Sequence, residues 1–193
     1  MSLGMMGSEN LQPRSVRPAK ENVMSHEKTA SAVPTKILVP VDFSSSSHAA
    51  LDAATEQAEK FHAEIVLLHV IPAFPNVSIP DSFTEASVVE EAQKAAKERF
   101  AVSQKALAAK GIQMSSNVEV GNDIAGAILD AAERENADLI VISTHGLSGW
   151  YPMVFGSIAE KIVKLAQCPV LLLRTPKPET TAKVPFGRSM EWW

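Results

Sequence analysis

Five short apolar runs, each followed or preceded by a helical pattern, constrain this chain more than any other feature. The runs are Lys36 to Val41, Glu64 to Val70, Ile112 to Val120, Asp138 to Ser143 and Val170 to Arg174, the last opened by Pro169. Strands this short and almost continuously apolar must be covered on both faces, and helices between them make the sheet parallel with right-handed crossovers. Between the runs, Ser44 to Ser47 offer N-caps for an Ala-rich helix from Ala49 to about Phe61. Ser87 to Lys110 has a helical apolar stripe through Val88, Val89, Ala92, Ala96, Phe100 and Leu107, closed by Gly111. Asn122 or Asp123 can cap a helix that buries Ile124, Ile128 and Leu129 and ends near Asn136, and Ser157 to Ala166 is the fourth helix. The expectation is a single doubly wound α/β domain, a five-stranded parallel sheet of order 3-2-1-4-5 with helices on both faces.

That domain occupies residues 36–174. Residues 1–35 carry no hydrophobic period and are punctuated by Pro13, Pro18 and Pro34, which predicts an extension without packed structure; Met24 is an alternative start. The stretch lacks the apolar middle of a secretory signal, and its acidic residues do not suit a transit peptide. The tail, 175–193, holds three prolines and ends in Trp192-Trp193, read as a loose end that touches the surface or as a partner-binding motif. A Pro-punctuated loop through Pro72, Pro75 and Pro80 to about Phe83 is long for its place.

Charge and cysteine usage exclude several functions. Residues 36–174 hold 11 Lys+Arg against 17 Asp+Glu, a net charge of −6, which argues against DNA, RNA or an anionic membrane surface as partner. No run approaches the roughly 20 apolar residues of a membrane helix. The one cysteine, Cys168, can form neither an intrachain disulfide nor a multi-thiolate metal site, and it reads as a small core hydrophobe of a cytoplasmic protein.

Doubly wound sheets bind ligands past the carboxyl ends of the strands where the winding reverses, here between strands one and four. The residues just past those strands are Asp42 and Ser143 to Gly149. The second loop reads Ser143-Thr144-His145-Gly146-Leu147-Ser148-Gly149-Trp150, and after Phe155 the chain enters a helix through Gly156-Ser157. A helix N-terminus presents unpaired N–H groups and a partial positive charge, and glycine lets a phosphate come close to them. The plainer alternative makes Gly146 and Gly149 turn formers and Gly156-Ser157 an ordinary cap. Asp42 likewise suits either a ribose hydroxyl or a helix cap.

Taken together, these residues resemble the universal stress protein family, and in particular its ATP-binding branch. The likeness covers Lys36 to Arg174 and rests on Ile37-Leu38-Val39-Pro40-Val41-Asp42-Phe43-Ser44, Leu68-His69-Val70, Gly156-Ser157-Ile158-Ala159-Glu160 and Cys168-Pro169-Val170-Leu171-Leu172. The branch is marked by Gly, two residues, Gly, nine residues, Gly, then Ser or Thr. Gly146, Leu147 to Phe155, Gly156 and Ser157 match in register, while Ser143 stands where the first glycine belongs. The resemblance assigns Asp42 to the ribose, Val41 and Val70 to the adenine, and Gly146, Gly156, Ser157 and the Ile158 backbone to the phosphates. Pro40, Ser143, His145 and Gly149 complete the expected nucleotide set, and Asp42 is the candidate for a magnesium ion accompanying ATP or AMP. Trp150, Tyr151 and Phe155 could stack on a ligand or pack the loop against a partner.

The sequence contains no Walker lysine motif, no GxGxxG after the first strand, no paired carboxylates and no nucleophile elbow. No catalytic residue is assigned: His145 lacks a fixed partner, and His69 at the end of an apolar strand reads as a core histidine. The function implied is a stress-response regulator that binds an adenine nucleotide and acts through a ligand-sensitive dimer or partner surface. The alternatives are a slow ATP hydrolase of the same layout and a stress protein that works through its interface without nucleotide. The resemblance also implies a homodimer paired through the last strand, an apolar edge that would otherwise be an aggregation hazard.

Overall fold

The computed structural model describes residues 33–73, 84–144 and 156–174. Five strands and four helices alternate along the chain: β1 Lys36–Pro40, α1 Ser45–Phe61, β2 Glu64–Ile71, α2 Glu85–Ala109, β3 Met114–Val120, α3 Ile124–Arg134, β4 Leu139–Ser143, α4 Ser157–Leu165 and β5 Val170–Leu173. All pairings are parallel and the order is β3-β2-β1-β4-β5, as the alternation predicts. The sheet winds outward from β1 in both directions, so the turn after β1 and the segment after β4 leave side by side. The register pairs Ile37 with Leu139 and Leu38 with Ile140.

Alternation of side chains along each strand divides the interior into two layers. Ile37, Val39, Val41, Ile65, Leu67 and Val141 face α1 and α2, where Ala50, Ala54 and Ala58 let α1 lie close to the sheet and Phe100 and Leu107 anchor α2. Leu38, Val66, Leu68, Val70, Ile140 and Ile142 face α3 and α4, packing on Ile128, Ala131 and Ile162. The central strands β1 and β2 are thus buried on both faces, the physical reason their sequences read as unbroken apolar runs.

Element boundaries differ from expectation where polar side chains intervene. The first helix starts at Ser45 rather than Ala49, because the Ser44 hydroxyl accepts from the Ser47 N–H and converts the serine run into the first turn. Thr84 and Ser87 exchange reciprocal side-chain bonds and begin α2 two residues early. Gly111, with φ of 74°, turns the chain just after α2, as its position suggested. Asp138 lies before β4 instead of in it: its carboxylate accepts from the backbone N–H groups of Thr35 and Lys36, tying the starts of β1 and β4 together.

On the α3 side, Asp123 caps its helix by accepting from the Gly126 N–H and pairs with Lys161 of α4 at 2.8 Å. The Lys161 ammonium, and after it the Gly126 N–H, hold this exposed carboxylate below its ordinary value of 3.8. A depressed carboxylate adds stability above its unfolded pKa and loses it as pH falls through the folded one. Asp123→Asn, which keeps the cap but removes the charge, is therefore expected to melt slightly below wild type at pH 7. The gap should close as the pH falls through the titration of the folded carboxylate, which thermal melts at neutral and strongly acid pH would check.

Candidate nucleotide site

Asp42 sits half-buried at the carboxyl end of β1. Its Oδ1 accepts from the Ser44 N–H at 3.0 Å and the Ser44 hydroxyl at 2.6 Å. Ser44 in turn caps α1, so Asp42 does not cap the helix itself but steadies the residue that does. On the strand side, a ring N–H of His69 donates from Nδ1 to the Val41 carbonyl at 2.8 Å, giving His69 the structural role its position suggested. The backbone before Asp42 is thus held by His69, and the carboxylate's Oδ1 is shared with the turn.

On the neighbouring strand, β4 ends in Ser143 and is followed by Thr144, both buried. Thr144 is pinned by its own backbone: its N–H donates to the Leu173 carbonyl at 2.8 Å, and its carbonyl accepts from the Gly156 N–H at 2.9 Å. The contact brings the start of α4 back against the end of β4. A β-carbon at Gly156 would stand 3.0 Å from that carbonyl oxygen, tighter than most side-chain contacts, so a larger residue needs the neighbouring backbone to give by a few tenths of an ångström; the glycine suits the approach rather than the dihedral angles. Gly156 is the N-cap of α4, and no described side chain caps it, which leaves the N–H groups of the first turn available to another acceptor. Ser157, expected to serve as cap, is instead the first helical residue and is exposed. Ile158 packs onto the α3–α4 layer.

The two valines expected at the adenine do not share a face: Val41 belongs to the layer under α1 and α2, Val70 to the layer under α3 and α4. Val70 lies on the same side as Ile158 and α4; Val41 contributes through its backbone position beside Asp42. Pro40 is the last residue of β1. His145, Gly146, Gly149 and the aromatic residues Trp150, Tyr151 and Phe155 lie outside the described residues, as do the loop from 74 to 83 and most of both tails.

Thr144 was not singled out by sequence, although it follows Ser143 in the same motif; its role as the backbone pin became visible only with β5 and Gly156 in place. A cleft of about 260 Å³, bordered by Glu133, Gln167 and Cys168, opens at the other end of the sheet, below the starts of β4 and β5. It has no part in the arrangement around Asp42.

This geometry can be set against known proteins. The sequence model of the universal stress protein family matches residues 34–174, nearly three-quarters of the chain and the whole sheet. The chain belongs to the universal stress protein family. Universal stress protein MJ0531 of Methanocaldococcus jannaschii is 32% identical over 144 residues, an alignment covering 75% of this chain and 84% of that one. The solved structure of the hypothetical protein MJ0577 superposes with a TM-score of 0.66 at 27% identity, covering 75% of this chain and 99% of the other. A universal stress protein from Archaeoglobus fulgidus, determined in complex with dAMP, shares the fold with a TM-score of 0.51 at 22% identity, over 72% of this chain and 98% of its own. Among the described residues of this family member, no helix is long and apolar enough to cross a membrane.

Proposed function

We propose that this universal stress protein binds an adenine nucleotide, ATP or AMP, in the crevice between β1 and β4 and serves as a regulator whose surface responds to the ligand. The observation that carries this reading is the bond from Gly156 N–H to the Thr144 carbonyl, which sets a helix N-terminus that no described side chain caps just past β4, the strand paired with β1, whose carboxyl end carries Asp42. A carboxylate that accepts from ribose hydroxyls and a helix end that donates to phosphate are the two halves of a nucleotide site at a topological switch point. The ligand class is supported by fold neighbours, one solved with dAMP and another universal stress protein solved with cAMP, a support by analogy of fold. Val70, Ile158, Ser157 and Ser143 complete the described part of the pocket, with His145, Gly146 and Gly149 on the intervening loop. Asp42 is the residue that would hold a magnesium ion accompanying the nucleotide, since one carboxylate beside the phosphate oxygens suffices for such an ion.

The test is mass spectrometry of small molecules released by heat from protein purified without added nucleotide. ATP, ADP or AMP in amounts comparable to the chain is the expected result. A protein that emerges empty, and stays so after incubation with millimolar ATP, would count against the reading.

The same proposal extends to a homodimer through the edge strand β5. Leu171 on that strand and Val163 and Leu165 on the neighbouring helix are exposed at 37%, 51% and 55%. An apolar edge of this kind calls for a partner. Sedimentation at micromolar concentration is expected to give particles of twice 20.8 kDa, reduced to single chains by Leu171→Arg. Single chains in the wild type would refute it.

A further inference from the structure

The turn that carries Asp42 contains a residue held against its own preference. Phe43 has φ of 60°, in the left-handed region that a bulky side chain avoids. Such a conformation persists only where the surroundings over-determine it. Here the ring is covered from three directions. The Arg99 guanidinium lies 4.8 Å from its centroid, and the ring of His69 is 4.6 Å away. Phe100, buried in the core, completes the set at 5.6 Å. Arg99 and Phe100 belong to α2, and His69 to β2. Because His69 also donates to the Val41 carbonyl, the residues on both sides of Asp42 are gripped from outside the turn.

We propose that the Arg99–Phe43–His69 stack is a positioning device for Asp42. It holds the β1–α1 turn so that the carboxylate meets the crevice, and through it the seating of α2 sets nucleotide affinity. The proposal rests on the nucleotide reading above and adds a route of regulation to it. α2 is independently anchored by Ala96 and Leu107, so the stack can loosen while the helix stays in place. Coupling of this kind is reciprocal: a ligand that engages Asp42 makes α2 harder to displace.

The full chain is compared with Arg99→Met, which keeps the aliphatic cover without the charge, and with Phe43→Asn, whose side chain tolerates the left-handed region. Two quantities are read: calorimetric affinity for ATP, and hydrogen exchange at the Ser44 and Ser47 amides, which donate to Asp42 and Ser44. Exchange is expected to quicken at both amides in both variants. ATP affinity should fall about two- to fivefold for Arg99→Met and about tenfold for Phe43→Asn, with Phe43→Tyr restoring both readouts. If the variants melt earlier while exchange and affinity match wild type, the stack is packing alone and the proposal is wrong. If the wild type itself takes up no ATP, the nucleotide reading falls, and exchange at Ser44 and Ser47 still decides whether the stack positions the turn: unchanged exchange overturns it, faster exchange upholds it.

Discussion

Replacing Asp42 by alanine is expected to weaken ATP or AMP binding by about 10- to 150-fold, the range for hydrogen bonds made to a charged group. The folded structure should survive. The carboxylate accepts from Ser44 in its own turn, and the cap that Ser44 provides to α1 does not need it. Asp42→Asn separates the two contributions. An amide can still accept from Ser44 and from a ribose hydroxyl, so it should retain more affinity than alanine while losing the charge-assisted part. Calorimetric titration with circular dichroism on the same samples reads both properties. Equal affinity in wild type and Asp42→Ala would place the ligand, if there is one, elsewhere on the molecule.

Gly156→Val should produce a comparable loss, also about 10- to 150-fold, because charge-assisted bonds from backbone N–H groups to phosphate are disturbed together. The reason is distance, not dihedral strain. Gly156 has φ of −70° and ψ of 153°, an extended conformation that valine adopts readily. Its β-carbon, however, would sit 3.0 Å from the Thr144 carbonyl oxygen, and the branched methyl groups crowd the same space. The start of α4 must then move away from β4, carrying the N–H groups of Ser157 and Ile158 off the position where phosphate would lie. Gly156→Ala should show a smaller loss of the same kind. Affinity unchanged by valine would show that the first turn of α4 does not hold the ligand.

Much of the fold was legible because the sheet is parallel and covered on both faces. Ile37-Leu38-Val39 and Ile65-Val66-Leu67-Leu68 have no solvent side, so their apolar runs announce buried strands, and the helices between them dictate the crossovers. Ends of elements were less legible where a side chain captured backbone groups at long range. Asp138 leaves β4 in order to accept from Thr35 and Lys36, a partnership more than a hundred residues apart in sequence that no local pattern encodes.

The site was legible in its residue types and less so in its layers. Asp42 and Gly156 could be named from topology and motif spacing, since a switch point needs a polar residue after β1 and a close approach before α4. Val41 and Val70, both expected at the adenine, pack in opposite layers of the sheet. Val41 keeps step with Ile37 and Val39, and Val70 with Val66 and Leu68; only the register, Ile37 against Ile65, shows that these two sets face opposite layers. Phe43 gave no signal at all, because a left-handed phenylalanine is specified by what surrounds it, namely Arg99, His69 and Phe100.

The most direct test is calorimetric titration of ATP into protein first stripped of bound small molecules by unfolding and refolding. The account predicts saturable binding at one nucleotide per chain, weakened at least about tenfold in both Asp42→Ala and Gly156→Val. A correctly refolded protein that gives no heat of binding with millimolar ATP or AMP would contradict it.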